Sequence, residues 1–349
     1  MSQKKIPVGI LGATGMVGQQ FIALLATHPW FTVEFLGASH RSEGKPFSEA
    51  AAWRLPAELP AHIASRQVEA SAPGKAPKLV FSALNSSVAG EIEQAFAKAG
   101  HIVVSNSRNH RMESTVPLLI PEVNADHLAL LKAQSDAHGW SGGIVTNPNC
   151  STVMLAMALA PLVPFGITTV MITTLQAISG AGYPGVASWD ILGNVIPFID
   201  GEEHKIETEP KKILGRLVDG RVENHPMAIS ASTTRVPVHD GHTESISVAL
   251  EQDVDEAAII AAWDSYRGKP QQYDLPSAPP QPIVYLREKN RPQPSLDVDR
   301  GNGMTVTVGR LRACQVLDWK FFALGHNTVR GAAGAAILNA ELMHREGLL

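Results

Sequence analysis

The chain has 349 residues, 44% of them hydrophobic and 18% charged, with a formal net charge of −4. This length exceeds one ordinary hydrophobic core and predicts two domains, and a charge balance without blocks of one sign argues against a nucleic-acid or membrane surface. The two cysteines, Cys150 and Cys314, can form neither a disulfide framework nor a zinc-type pair, so a reducing compartment, the cytoplasm, is expected.

The opening "MSQKKIPVGILGATG" has a basic start, but Pro7, Gly9 and Gly12 interrupt its apolar run, and it reads as a strand rather than a signal peptide. From there to residue 150, "IPVGIL", "MVGQQFIALLATH", "TVEFLGAS", "KLVFSAL", "VAGEIEQAFAKAG" and "HIVVSN" alternate strand and helix patterns. That rhythm predicts a doubly wound α/β domain, and strands apolar along their whole length predict a parallel sheet covered on both faces. Loops are expected at "RSEGKPFSEAA" and "SAPGKAPK", where Gly, Pro and Ser cluster.

After "TNPNC", the run "STVMLAMALAPL" predicts a helix; its apolar core is far shorter than the roughly 20 residues a membrane span needs. Further on, "GITTVMITTLQAISGAG", "ISASTTRVPVHDG", "TESISVALEQ" and "MTVTVGRLRAC" predict long strands of a mixed or antiparallel sheet in a second domain. The Pro-rich "DLPSAPPQPIVYLREKNRPQP" reads as an ordered surface connection, and "NTVRGAAGAAILNAELMHREG" as a helix that returns to the first domain.

Four features carry chemistry. "GILGATGMVGQQ" sits between a strand and a helix, with glycines at 12, 15 and 18. Such a turn lets backbone N–H groups approach a pyrophosphate, although GxxGxxG departs from the usual GxGxxG. The turn residues Gly12, Thr14, Gly15, Met16 and Val17 are the candidate cofactor contacts. The second strand ends in "SHRSEGK"; Glu34 lies in mid-strand, so Ser39, Arg41, Ser42 and Lys45 are expected to hold a 2′-phosphate, favouring NADP over NAD.

The third feature is Cys150, which falls at a helix start, where exposed N–H groups and the helix dipole favour a thiolate and could stabilise an oxyanion; Cys314 has no such setting and is expected in the core. Fourth, "RVPVHDGHTES" brings Arg235, able to clamp a carboxylate, close to His242, able to act as acid or base. His239 and His242 lack the third partner a metal site requires, so no metal is expected.

Together, "GATGMVGQ", "SNSRNHRM", "VPLLIPEVN", "TNPNCST", "QAISGAGYPGV", "KIETEPKKILG", "RVPVHDGHT" and "HNTVRGAAGA" resemble the aspartate-semialdehyde dehydrogenase family, in the family's order and over nearly the whole chain. The forms "SGAGYPGV" and "GHT" look most like its archaeal and fungal branch. The resemblance implies a Rossmann NADP-binding domain, residues 1–149 plus 327–349, and an α+β catalytic and dimerisation domain, residues 150–326. It implies Cys150 as acyl-accepting nucleophile, Gln176 as the residue that orients the intermediate and His242 as acid/base. Arg235 would hold the substrate carboxylate, Glu209 its amino group, and Asn106, Arg111 and Lys212 the phosphate. Ser179, Gly180 and Asn327 would lie near the nicotinamide. The family "GDN" is "GHN" here, which leaves His326 without a role.

The implied reaction is NADPH-dependent conversion of L-aspartyl 4-phosphate to L-aspartate 4-semialdehyde through a Cys150 thioester, in the biosynthesis of lysine, threonine, methionine and isoleucine. Small-molecule substrates and a homodimer or homotetramer are the expected partners. The alternatives are a reductase of the same architecture acting on another acyl group, such as malonyl-CoA or N-acetylglutamyl phosphate, and a non-catalytic NADP-binding homologue.

Overall fold

Strands that are apolar throughout must be covered on both faces, and the first unit of the chain is built that way. In the computed structural model, which describes residues 4–349, this unit comprises the chain up to Leu119, Asp126–Asn147 and Ala333–Leu349. Its sheet contains β1 (Ile6–Leu11), β2 (Phe31–Ala38), β3 (Glu69–Ala70), β4 (Leu79–Ser82), β5 (Ile102–Ser105) and β6 (Gly143–Thr146). All neighbours are parallel, in the order β3-β2-β1-β4-β5-β6. Every residue of β4, β5 and β6 is buried. The helices α1 (Met16–Leu25), α2 (Ser86–Lys98) and α3 (Leu130–His138) supply the crossovers. The strand order reverses between β1 and β4, and the carboxyl ends of strands at such a switch point are where open α/β sheets bind ligands.

The second unit comprises Ile120–Ala125 and Pro148–Ala332. It opens with α4 (Cys150–Leu159), continues through β7 (Ile167–Gln176) and α5 (Glu202–Ile213), and reaches β8 (Ala228–Arg235) and β9 (His242–Leu250). After β10 (Ile283–Leu286), β11 (Val306–Ala313) and β12 (Trp319–Gly325) the chain enters α6 (Gly334–Arg345) through a π-helical turn, Val329–Ala333. The sheet order is β8-β7-β9-β12-β11-β10, with β7–β8 and β10–β11 parallel and the remaining pairs antiparallel. Side chains alternate along β9, with His242, Glu244, Ile246 and Val248 buried and Thr243, Ser245 and Ser247 partly exposed. The α4 side chains from Ser151 to Leu159 are all buried.

These units differ from the expected division at Ile120–Ala125, at residues 148–149 and at residues 327–332. One contact accounts for the first and the last. Arg330 Nη1 and Nη2 donate to the two carboxylate oxygens of Glu122, each at 2.8 Å, and both side chains are fully buried. A desolvated bidentate pair holds its two segments in one body. Within the first unit, α6 is held by Glu341, which accepts from His28 Nε2 at 2.7 Å, both groups buried.

Two expectations are corrected. The connection at residues 274–294 contributes a true edge strand, β10, because Ile283 and Leu286 are buried while pairing in parallel with β11. Cys314 is not in the core: it lies half-buried in the turn between β11 and β12, where its Sγ accepts from the Leu317 N–H at 3.5 Å.

Candidate active site

Three strands of the second sheet end together. Parallel pairing sets Arg235 opposite Gln176, and antiparallel pairing sets Thr243 opposite Leu175. The last residues of β7 and β8 and the first residue of β9 therefore share one sheet end, which brings Gln176, Arg235 and His242 together from segments far apart in sequence. Cys150 opens α4 beside them, with Sγ 3.2 Å from His242 Nε2.

The start of α4 is an elaborate cap. Asn149 Oδ1 accepts from the Ser151 N–H at 3.0 Å and the Thr152 N–H at 3.2 Å, its own N–H donates to Glu209 Oε2 at 2.7 Å, and its Nδ2 donates to Glu202 Oε1 at 2.7 Å. The Ser151 and Thr152 N–H groups are committed to this cap, so of the donors expected for an oxyanion at the helix start these two are taken up.

His242 has no solvent-exposed surface. Its Nδ1 accepts from the Ala177 N–H at 3.1 Å, which assigns the proton of the neutral ring to Nε2, facing Cys150. Burial, with the Arg235 charge adding to it, pushes the ring's pKa down to about 3 against the opposing pull of Glu202 and Asp240. His242 is thus a neutral donor toward sulfur at pH 7, and the base role expected for the opening step would require the other tautomer. The nearby His239 is exposed and paired with Asp240 at 2.6 Å, so the two histidines do not form a ligand set.

Arg235 is buried and donates from Nη1 to the Ala177 carbonyl at 2.8 Å. Burial lowers its pKa, opposed by Cys150 and Glu202. Gln176 is buried, with Nε2 donating to Thr174 Oγ1 at 3.3 Å. Glu209 and Lys212 are buried on α5. Asn327 Nδ2 donates to Ser179 Oγ at 2.8 Å and its Oδ1 accepts from the Gly241 N–H at 2.9 Å, which ties the 178–181 turn to the residue before His242. In that turn a methyl on Gly180 would lie 2.8 Å from Arg235 Nη1. His326 Nδ1 accepts from the Thr328 N–H at 3.4 Å, a local turn bond at the end of β12.

The remaining expected residues lie in the first unit. Gly12 has φ +76°, and a Cβ there would come within 2.6 Å of the Ala83 carbonyl oxygen. Gly15 is the N-cap of α1, and no side chain among the described residues caps that helix, so the N–H groups of its first turn, including those of Met16 and Val17, have the free polarity a diphosphate requires. Thr14 lies in the same turn, its carbonyl accepting from Gln19 Nε2 at 3.2 Å. Beyond β2, Ser39, Arg41 and Lys45 are exposed and Ser42 half-exposed on consecutive turns closed by Ser42 N–H to Ser39 O and Lys45 N–H to Ser42 O. Glu34 is exposed in mid-strand. Arg111 is buried and donates from Nη2 to the Asn106 carbonyl at 2.8 Å; Asn106 Oδ1 accepts from Asn147 Nδ2, also at 2.8 Å.

Residues 7–131 match the model of the semialdehyde dehydrogenase NAD-binding domain, and residues 159–330 that of the semialdehyde dehydrogenase dimerisation domain. The aspartate-semialdehyde dehydrogenase of Archaeoglobus fulgidus is 49% identical over 343 residues, covering 98% of this chain and 99% of its own. The chain belongs to the aspartate-semialdehyde dehydrogenase family. A crystal structure of the family's Candida albicans member with NADP superimposes with a TM-score of 0.91 at 41% identity, covering 99% of this chain and all of that one. The malonyl-CoA reductase (NADP) of Metallosphaera sedula is similar too, 38% identical over 354 residues and 99% of each chain.

Sequence reasoning missed Asn149 and Glu202. Asn149 directly before a helical run is a recognisable N-cap signal. Glu202 and Glu209 are seven apart, which on a helix puts both carboxylates on one face.

Proposed function

We propose that this protein reduces L-aspartyl 4-phosphate to L-aspartate 4-semialdehyde with NADPH, releasing phosphate, and runs the reverse oxidation when phosphate and NADP are supplied. The observation that carries this reading is the Cys150–His242 contact at 3.2 Å, set beside the buried Arg235. The Cys150 thiolate attacks the C4 carbonyl, the bond from carbon to the phosphate oxygen breaks, and phosphate leaves with that electron pair, giving a thioester. Bound NADPH supplies a hydride to the thioester carbon. The tetrahedral oxyanion then collapses, the carbon–sulfur bond breaks, and the electron pair returns to sulfur as the aldehyde forms. His242 Nε2–H stabilises the developing charge on oxygen or sulfur.

The polar residues divide the substrate between them. Arg235 suits the α-carboxylate, Glu209 the ammonium, and Lys212, Arg111 and Asn106 the phosphate, with Gln176 orienting the intermediate. The uncapped start of α1 and the close-approach Gly12 turn fit a dinucleotide diphosphate; Thr14, Gly15, Met16 and Val17 surround it. Arg41, Lys45, Ser39 and Ser42 fit a 2′-phosphate, and Ser179, Gly180 and Asn327 the nicotinamide end. The match to a dimerisation domain supports a homodimer. Among the described residues no helix is long and apolar enough to cross a membrane, and the composition supports the cytoplasm as the compartment.

The 38% identity to a malonyl-CoA reductase supports a second reading, in which the same cysteine accepts a malonyl group from coenzyme A. One pair of assays separates them: NADP reduction by L-aspartate semialdehyde with and without phosphate, and NADPH oxidation by malonyl-CoA. Phosphate-dependent oxidation of the semialdehyde is the expected result; activity with malonyl-CoA alone would replace the first reading by the second.

A further inference from the structure

Glu202 is buried, one side chain removed from the nucleophile, and the chemistry outlined above does not use it. Its Oε1 accepts from Asn149 Nδ2 at 2.7 Å and its Oε2 from Lys205 Nζ at 2.8 Å. Burial raises its pKa, but Lys205, the Asn149 amide and His242 outweigh that and hold it below the ordinary carboxylate value. Glu202 is therefore an ionised group that can only accept hydrogen bonds.

That restriction has a geometric consequence. An asparagine amide can turn either its oxygen or its NH2 toward a helix end, and only the oxygen caps the N–H groups there. Because Glu202 accepts, Asn149 must point its NH2 at Glu202, which leaves Oδ1 facing the Ser151 and Thr152 N–H groups. We propose that Glu202 is a positioning residue that sets the amide orientation of Asn149 and, through that cap, the placement of Cys150 against His242. The proposal rests on Cys150 as nucleophile, not on the identity of the acyl substrate.

In Glu202→Gln the new amide faces Lys205 on one side, where only its oxygen fits, so its NH2 faces Asn149. Two NH2 groups cannot satisfy each other, and Asn149 turns its oxygen away from the helix. Asn149→Asp produces a different conflict, two carboxylates in contact. In the double variant donor and acceptor exchange places: the amide introduced at position 202 donates, and the carboxylate introduced at position 149 accepts from it and still caps α4.

The test is the rate of Cys150 alkylation by iodoacetamide, a neutral probe that needs no substrate pocket, with kcat and KM for the semialdehyde measured beside it. Each single variant should lose about tenfold or more in alkylation rate and kcat, with KM changed by less than about twofold. Combining Glu202→Gln with Asn149→Asp should recover most of both. Lys205→Arg, which keeps the cation that holds Glu202 ionised as well as the Asn149–Glu202 bond, should alkylate like the wild type. Single variants that alkylate normally, a double variant no better than the worse single one, or a Lys205→Arg loss as large as that of Glu202→Gln would each overturn the proposal. Wild-type Cys150 reacting no faster than a free thiol would overturn it together with the nucleophile assignment, whereas failure of the semialdehyde assay alone would leave the alkylation cycle to decide it.

Discussion

Gly331 lies against Cys150: a Cβ built on it would come within 2.7 Å of Cys150 Cβ and 3.0 Å of Cys150 Cα. These atoms belong to the first residue of α4, whose backbone is pinned by the Asn149 cap, and cannot swing aside as the end of a flexible side chain would. Gly331→Ala should displace the nucleophile, lowering kcat by about tenfold to a hundredfold at a stability cost of about 1–3 kcal/mol. Activity assays beside urea unfolding would check it; unchanged kcat would mean that the helix shifts without consequence.

His242 is held neutral in the fold, its pKa depressed from 6.5 to about 3. The unfolded chain binds a proton between these values and the folded chain does not. The stability associated with the neutral ring is therefore complete above pH 6.5 and is lost as pH falls through 3. His242→Gln should flatten the acid side of the stability profile and lower kcat by about 10² to 10⁴. Urea midpoints at several pH values between 4 and 8, in both proteins, would show whether the slopes differ.

Glu244 presents the opposite sign. It is fully buried on β9, opposite Thr174 and Ala323, neither carboxylate oxygen has a hydrogen-bond partner among the described residues, and burial raises its pKa well above 4.5. The fold favours the protonated carboxyl, so stability is complete below 4.5 and declines as pH rises toward the folded value. Glu244→Gln, which cannot ionise, should be more stable than the wild type at pH 8 by about 1–3 kcal/mol, the advantage shrinking toward pH 4. Equal denaturation midpoints at both pH values would show that the carboxyl is solvated by some other means.

The Glu122–Arg330 pair should behave as a buried ion pair does when halved. Arg330→Met leaves an uncompensated carboxylate, and a loss of about 3–5 kcal/mol is expected. Adding Glu122→Gln should return part of it. Thermal unfolding of the single and double variants gives the coupling directly.

The loop after β2 should decide the nucleotide. Arg41→Ala and Lys45→Ala each remove a cation from the 2′-phosphate pocket, so KM for NADPH should rise by about tenfold while KM for NADH stays nearly constant. An equal rise for both nucleotides would locate these side chains elsewhere on the cofactor.

Much of this was legible before any coordinates. Uniformly apolar "LVFS" and "IVVS" mark strands buried on both faces, and the apolar run after Cys150 marks a helix, because hydrophobic period is a local property of the backbone. The glycine turn and the basic loop after β2 were likewise local. Motif resemblance suggested which side chains share a site, but not how they touch. The meeting of Gln176, Arg235 and His242 depends on strand register, which joins residues about sixty positions apart and which no single segment encodes. The tautomer of His242 follows from the Ala177 N–H, the commitment of the α4 N–H groups from Asn149, and the role of Glu202 from an acceptor placed across two helices. The usual burial of free cysteines placed Cys314 in the core, where the fold instead leaves it in a turn. Sequence determines which local structures form because those energies depend on neighbours in the chain; hydrogen-bond direction, charge state and burial depend on neighbours in space, and only the tertiary structure supplies them.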